Sequence, residues 1–280
     1  MTSPSARPDT SAGASLYAAL EACLREADPA AKVAAVERLG AKAATMDAAI
    51  PGRPAARLET PGRPARPALV APRDVPQRGL GSPGGRAAFL HAIAHIEFNA
   101  INLALDAAWR FRGLPPDFAM DWISVAADEA RHFTLLQARL AELGHAYGDF
   151  PAHDGLWEMA LKTDDSVLAR MALVPRVLEA RGLDVTPGMI ARLRVIGDHA
   201  SVAVLEVILA EEVRHVAIGS RWFAWCCARD GLEPRSTFIE LLRGQARRSL
   251  RGPFNIAARM DAGFDEHELA AIARLAEEVA

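Results

Sequence analysis

The stretch DEARH, residues 128–132, recurs in nearly the same form as EEVRH at residues 211–215. Each copy contains a glutamate that is followed three residues later by a histidine. Residues three apart in an α-helix lie on the same face about one turn apart, so the two side chains of each pair can reach a common point. The repetition predicts two helices that present the same pair of side chains, namely Glu129 with His132 and Glu212 with His215.

Both pairs interrupt a stripe of apolar residues that repeats at helical steps of three and four. Such a stripe marks the side of a helix that faces the protein core. A single pair of this kind also occurs by chance on solvated helix faces, but two pairs on core stripes favour an interior site. The apolar members are Trp122, Val125, Leu136 and Leu140 around the first pair, and Leu205, Ile208, Gly219 and Trp222 around the second.

A helix with a solitary carboxylate precedes each pair. Glu97 stands in the apolar run IAHIEFNAINLAL, 32 residues before Glu129, and Glu179 stands in LEARG, 33 residues before Glu212. A lone buried carboxylate loses several kcal/mol of hydration, so a buried glutamate needs a compensating partner. The chain therefore contains twice the same unit, which is a glutamate on one helix, a turn, and an E-x-x-H pair on the next helix.

Metal ions are the compensation that this set of side chains favours. Four carboxylates and two imidazoles are costly to bury together as bare charges. Two divalent cations carry a charge of +4 against the −4 of four carboxylates, so the loaded site is neutral. Oxygen-rich ligation with one histidine per metal and no thiolate favours iron or manganese over zinc or copper. A glutamate from each of two helices plus Glu-x-x-His from the other two is the di-iron carboxylate pattern of helical bundles.

From about residue 87 to residue 229 the chain resembles the ferritin-like di-iron carboxylate superfamily. The segments HAIAHIEFNAINLALDAAWRF, DEARHF, VPRVLEARGLDVTP and EEVRHVAIGSRWF look like a bacterial ferritin-like family that is described only as a domain of unknown function. The resemblance implies two bound iron ions, with manganese as an alternative at one or both sites. It also implies six metal ligands, which are Glu97, Glu129, His132, Glu179, Glu212 and His215.

The predicted fold is all-α, with a ferritin-like four-helix bundle at its centre. The 46 residues between His132 and Glu179 provide the long crossover that such a bundle needs between its second and third helices. Thr186 is predicted to cap the fourth helix, with Pro187 at its first position. Between Arg86 and Asp230 no segment shows β alternation. The four helices are predicted at about residues 85–111, 117–143, 164–182 and 187–229.

Four regions follow one another along the chain. Residues 1–50 form an N-terminal helical extension, with two short helices interrupted at Asp28-Pro29. Residues 51–86 hold eight of the eighteen prolines and seven arginines, so this segment is either a disordered linker or an extended strap over the core, and interspersed apolar residues favour the strap. Residues 87–230 form the di-metal bundle. Residues 231–280 add one or two closing helices to the same domain.

Composition sets the expected compartment and partners. A net charge of −3 gives no global attraction to nucleic acid or to an anionic membrane. Three cysteines, an N-terminus without a signal-like apolar run and the absence of an uninterrupted apolar span predict a cytoplasmic protein without disulfides, not bound to a membrane. We expect a monomer or a small homo-oligomer. The basic stretches, Arg53 to Arg86 and the later group Arg243, Arg247, Arg248 and Arg251, are interpreted as solvated surface, with phosphate contact as the alternative.

The reaction stays open at this stage, because the superfamily includes oxygen-activating hydroxylases, a tRNA-modifying branch among them, as well as ferritins and radical-forming proteins. We expect an oxidoreductase that activates O₂ and hydroxylates or oxidises an unidentified substrate. That substrate is a small molecule or an RNA, and the electron donor is unknown. The alternative is a non-catalytic protein that handles, stores or senses iron.

Several other titratable residues near the six predicted metal ligands are interpreted as residues that do not bind metal. Glu206 and Glu211 fall on other sides of the fourth helix than Glu212 does, so both are predicted to be surface acids. Asp198 either supports a ligating histidine or caps a helix. The two histidines before Glu97, at positions 91 and 95, are predicted to be packing or supporting groups.

Overall fold

The computed structural model describes residues 15–76, 78–246 and 249–278. Arg247 and Arg248 of the second basic stretch lie outside these ranges, as do the first fourteen residues of the N-terminal extension. Within the described ranges the chain is helical and contains no strand, only two isolated bridges. This confirms the predicted all-α class.

Helices of very different length follow one another along the chain. One π-helical stretch, Val174–Glu179, joins α6 to α7, so that three elements make one long helical segment. A second π-helical stretch, Leu242–Ala246, follows α9. The α-helices are α1 (Leu16–Arg25), α2 (Pro29–Lys42), α3 (Pro83–Arg110), α4 (Pro116–Glu142), α5 (Gly155–Lys162), α6 (Val167–Leu173), α7 (Ala180–Val195), α8 (His199–Asp230), α9 (Pro234–Leu241), α10 (Ile256–Asp261) and α11 (Glu266–Glu277).

Four long helical segments, which are α3, α4, α6 to α7, and α8, form the central bundle. A connection of only five residues, 111–115, turns α3 back into α4. The helices α4 and α8 run antiparallel, because Arg139 donates to Ser201 near one end while Trp222 donates to Asp121 near the other. The bundle therefore brings the middles of α4 and α8, where the two E-x-x-H pairs lie, to the same level.

The connection between α4 and α6 crosses the length of the bundle. It begins beside the N-terminal half of α3, where the Gly148 backbone N–H donates to His91. It ends near the C-terminal end of α3, where Arg170 of α6 forms a buried ion pair with Asp106. The short helix α5 lies within this crossover and packs against α3.

The break between the third and fourth helices was predicted in the wrong place. Thr186 caps no helix, and Pro187 lies inside α7 rather than at the start of α8. A proline inside a helix leaves the carbonyl four residues earlier without its N–H donor. Here the Asn255 side chain donates to that carbonyl, on Leu183, at 3.2 Å, so the helix continues through the proline.

The actual break falls at residues 196–198, between α7 and α8. Gly197 has a positive φ of 73°, a conformation that glycine adopts without strain, and it ends the third segment. Asp198 then accepts from the Ser201 backbone N–H and caps α8. Of the two roles considered for Asp198, capping is therefore the one that the structure shows.

The proline-rich segment lies against the helices as an extended strap and ends at Ser82, where α3 begins. The Trp157 indole N–H donates to the Glu59 carbonyl, and the Gly62 N–H donates to the Leu24 carbonyl at the end of α1. A Cβ atom on Gly62 would lie 2.2 Å from the Glu26 carbonyl oxygen, so only glycine allows this close approach.

Of the described helices, α3 alone is long and apolar enough to cross a membrane by length and composition. However, 78% of its most apolar window is buried inside the protein. It contacts α4 along its length, and α1 also packs against it. These are the contacts of a core helix.

Candidate metal centre

Four side chains from three helices meet in the bundle core. Glu97 comes from α3, Glu129 and His132 from α4, and Glu212 from α8, and each is buried. One ligand atom from each lies within 4.8 Å of the others, so the cluster can hold a metal ion.

The remaining two predicted ligands border this cluster. His215 Nδ1 lies 2.9 Å from Glu129 Oε1 and 3.8 Å from Glu212 Oε1. Glu179 lines the same cavity as Glu97, Glu129 and Glu212, and its Oε2 atom is buried. The structure therefore brings all six predicted residues into one region, with Glu129 between the two histidines.

The two histidines are held in the same way, with Nδ1 toward the cluster and Nε2 toward an acid outside it. His132 Nε2 lies 2.7 Å from Glu211 Oε2, and His215 Nε2 lies 3.2 Å from Asp128 Oδ2. A carboxylate that accepts the second ring N–H fixes the tautomer and orientation of a metal-binding histidine. This arrangement turns Nδ1 of each ring toward the carboxylates of the cluster, where a cation could bind.

Glu211 was wrongly predicted to be a simple surface acid, because its side chain bonds the ring of His132. The signal was present in the repeated motif. An acid directly precedes the glutamate in both copies, Asp128 in DEARH and Glu211 in EEVRH, and each contacts the histidine of the opposite helix. Glu206 differs, since it is exposed and pairs with Arg194 away from the cluster.

Two arginines hold these outer carboxylates in place. Arg131 donates to Asp128 at 3.1 Å and also to Glu211. Arg214 donates to Asp128 and to the Ser124 hydroxyl. Both arginines are about half exposed, so the network connects each buried histidine to the protein surface.

Unsatisfied polar atoms inside the cluster show that a cation would fit. Buried polar groups nearly always have a hydrogen-bond partner. Within the described part of the chain, Oε2 of Glu179 and Oε2 of Glu212 are buried and have none. Glu129 Oε1 and His215 Nδ1 lie 2.9 Å apart but not in hydrogen-bond geometry. Carboxylate oxygens and imidazole nitrogens are ligands of iron and manganese, so these atoms are suited to such ions.

Without a cation, protons compensate the charges of the cluster. Burial, together with the charges of Glu212 and Glu129, raises the pKa of Glu179 to about 8. Burial and the charge of Glu129 raise the pKa of Glu97 well above its usual range. Burial disfavours the charged form of His132, but its bonds to Glu129 and Glu97 outweigh this and raise its pKa to about 11. Metal ions must displace these protons, so metal binding should strengthen as the pH rises.

The π-helical stretch sets the position of Glu179. Pro175 has no N–H to donate to the preceding turn, and the helix widens there. The widened turn fits because Gly219 of α8 faces it, where a Cβ atom would lie 2.2 Å from Pro175 Cγ. Only glycine at position 219 allows the stretch that carries Glu179 to approach α8 so closely.

The two earlier histidines of α3 pack beside the start of the crossover. His91 accepts from Gly148, and its ring stacks on Tyr147. His95 lies 2.9 Å from the Tyr147 hydroxyl and 3.1 Å from the His153 carbonyl. They act as packing groups that fasten the crossover to α3.

The fold and site define an all-helical protein with a buried carboxylate and histidine cluster that can hold a metal ion. Residues 25–270 match the family described as Protein of unknown function (DUF455), and the chain belongs to that family. It is 49% identical over 215 residues to an uncharacterized protein of Haemophilus influenzae (strain ATCC 51907 / DSM 11121 / KW20 / Rd), and 74% of each chain is covered. No solved structure matches the chain significantly.

Proposed function

We propose that this chain is a ferritin-like di-metal carboxylate oxidoreductase that activates O₂ and hydroxylates or oxidises a small-molecule substrate. Its two metal ions are iron, with manganese as an alternative at either site. The observation that carries this proposal is the paired histidine geometry, in which both rings turn Nδ1 toward Glu129 and fix Nε2 on an outer acid. The proposed ligands are Glu97, Glu129, His132, Glu179, Glu212 and His215.

When bound, the two ions supply the redox chemistry and the binding of O₂. The protein supplies position, charge and exclusion of water. Glu129 is completely buried between the two histidines, so it keeps both halves of the site at a fixed separation. Asp128 and Glu211 each hold one imidazole in the tautomer that leaves Nδ1 for metal.

The same centre would also serve a protein that stores or senses iron. The surroundings favour catalysis, because the cavity that reaches the four glutamates is lined mainly by aliphatic side chains. An apolar path does not stabilise hydrated ions, whereas it stabilises an organic substrate by burying its apolar surface. The size of the protein in solution distinguishes the two functions. A storage cage is a large closed assembly, whereas a hydroxylase is expected to be a monomer or a small oligomer.

Metal content and O₂ consumption test the proposal together. Full-length protein is loaded anaerobically with Fe(II), its metal content is measured by elemental analysis, and O₂ uptake and the optical spectrum are followed after exposure to air. We expect two ions per chain and O₂ uptake coupled to a spectral change. A protein that binds no iron and no manganese would overturn the proposal.

A matched pair of variants shows whether the buried cluster is responsible. Glu129→Ala removes the carboxylate that contacts both histidines, so we expect metal content near zero and no O₂ uptake. Glu206→Ala removes an exposed glutamate that pairs with Arg194, and it should keep the wild-type metal content. Equal metal content in the two variants would contradict the proposed ligand set.

A further inference from the structure

A cavity of about 130 Å³ lies between α3, α7 and α8 and ends at the four glutamates of the metal centre. Aliphatic side chains and one methionine make up most of its wall. Beside the glutamates, Arg181 and Thr186 are the only residues with polar side chains among the described residues that line it. The cavity is therefore an apolar space with one polar end.

The size and lining of this cavity select its occupant. An apolar cavity of about 150 Å³ in a protein core is large enough to bind benzene or xenon. A charged or strongly polar group would lose hydration here and would find few partners along the aliphatic walls. An alkyl or aryl group of about six carbon atoms fits both the volume and the lining.

A glycine inside a helix lines the cavity without a side chain. Gly182 lies in α7 and lines the cavity, and a Cβ atom at this position would meet no other atom within 4 Å. Glycine in a helix interior is less favourable than alanine. Ile96, which lines the opposite wall on α3, is 48% exposed and marks the connection to solvent. The cavity therefore has an exposed residue at Ile96 and open space beside Gly182 in its lining.

We propose that this cavity is the substrate site, and that it takes a neutral alkyl or aryl group about the size of a benzene ring. The group enters between Ile96 and Gly182 and directs one end toward Glu97 and Glu179. The claim that the bound group is the part of the substrate that is oxidised rests on the proposed function. The binding of an apolar group in the cavity does not depend on it.

Benzene is the probe, because it is neutral and does not ligate metal ions. Its affinity is measured by titration calorimetry on the full-length protein as purified, for the wild type, Gly182→Leu and Gly188→Leu. Both glycines lie in α7, and an added Cβ atom on either would meet no atom within 4 Å, but Gly188 does not line the cavity. We expect saturable binding that Gly182→Leu weakens at least tenfold and Gly188→Leu leaves unchanged. Equal affinity in all three proteins would overturn the proposal.

Methyl NMR of the wild type gives a second measurement that needs no variant. Benzene should shift the isoleucine methyl signals of Ile93 and Ile208, which line the cavity, and leave those of Ile123 and Ile190, which do not. Absence of shifts at the first pair, or equal shifts at all four, would overturn the proposal.

Metal content is measured on the same samples. Protein that binds benzene but no metal contradicts the proposed function alone, and protein with two ions and no benzene contradicts the cavity alone.

Discussion

The two halves of the bundle carry the same motif but hold their solitary glutamates differently. In the first half, Glu97 lies on a regular helix and its Oε2 is 3.1 Å from His132 Nδ1. In the second half, Glu179 lies at the end of a π-helical stretch, and its buried Oε2 has no hydrogen-bond partner among the described residues. The solitary glutamate of the first half therefore has a protein partner, whereas the buried Oε2 of the second has none among the described residues.

This difference follows from how each half is packed. Glu129 and His132 come from one helix and contact Glu97 or each other directly, so folding of α3 against α4 places all three. The position of Glu179 requires the close approach of Pro175 to Gly219, which only the second half contains. A unit that looks duplicated in sequence thus gives one half whose solitary glutamate is held by a histidine and one half whose solitary glutamate is placed by the packing of Pro175 on Gly219.

The largest expected effect concerns the missing partner of Glu179. Its pKa is raised to about 8 in the folded protein, from an ordinary value of 4.5. A carboxyl group with a raised pKa lowers stability progressively as the pH rises from 4.5 to 8, because the unfolded chain ionises first. At pH 7 the loss is about 3 kcal/mol. Metal-free Glu179→Gln should be more stable than the metal-free wild type by about this amount, as measured by urea unfolding.

The control for this prediction is Glu129→Gln. Burial disfavours its ionised form, but the charge of His215 and the close contacts with both histidine rings lower the pKa of Glu129 below its ordinary value. Replacing an ionised group that contacts two cationic rings should therefore destabilise the metal-free protein. If both variants changed stability in the same direction, the contrast between Glu179 and Glu129 would be wrong.

The second expected effect tests the close contact that only the second half contains. Gly219→Ala places a methyl group about 2.2 Å from the Pro175 ring, which cannot move aside as a flexible side chain can. Overpacking of this kind costs about 1–3 kcal/mol, and it should displace the stretch that carries Glu179. We expect a lower Tm and the loss of one metal ion per chain by elemental analysis. Gly188→Ala is the control, because its methyl meets no atom within 4 Å and should leave metal content unchanged.

The sequence predicted much of this structure, and its failures have a physical pattern. The apolar stripes placed the two E-x-x-H pairs in the core because helical periodicity is a local property. The break at Pro187 was misplaced because the donor that satisfies the Leu183 carbonyl is Asn255, 72 residues further along the chain. The role of Glu211 was missed because its partner, His132, lies on another helix. Both failures concern contacts between segments that are distant in the sequence.

The third expected effect compares the two outer acids. Asp128 and Glu211 hold His215 and His132 respectively, so each supports the histidine of the opposite helix. Removing a carboxylate that orients a metal-binding histidine lowers metal affinity about 10- to 100-fold. Asp128→Ala and Glu211→Ala should both keep two ions at saturating metal but bind them about 10- to 100-fold more weakly, as measured by competition with a chelator.

The metal affinities of these two variants show whether the two halves of the bundle are equivalent. Similar losses in both variants would show that the two histidine supports are interchangeable. Glu206→Ala, on the same helix as Glu211 but paired with Arg194, should bind metal as the wild type does. Wild-type affinity in both outer-acid variants would contradict the supporting role of these carboxylates.

The smallest expected effect is acid sensitivity confined to the first half. Burial lowers the pKa of His91 to about 4, and its neutral ring accepts from the Gly148 N–H. The unfolded chain binds a proton near pH 6.5, so stability is lost as the pH falls from 6.5 toward 4. Between pH 7 and pH 5.5 His91 accounts for a loss of about 1 kcal/mol. In the second half the position that corresponds to His91 is the buried Leu173, which has no charge to gain.

Hydrogen exchange locates this loss, because it reports opening segment by segment. On lowering the pH from 7 to 5.5, protection corrected for intrinsic exchange should fall more at residues 145–150, where the crossover meets His91, than at residues 193–198 between α7 and α8. His91→Gln removes the titrating ring, so the variant should lose about 1 kcal/mol less stability over this interval than the wild type does. An identical pH dependence in the wild type and His91→Gln, or equal loss of protection at both connections, would show that acid acts on the two halves alike.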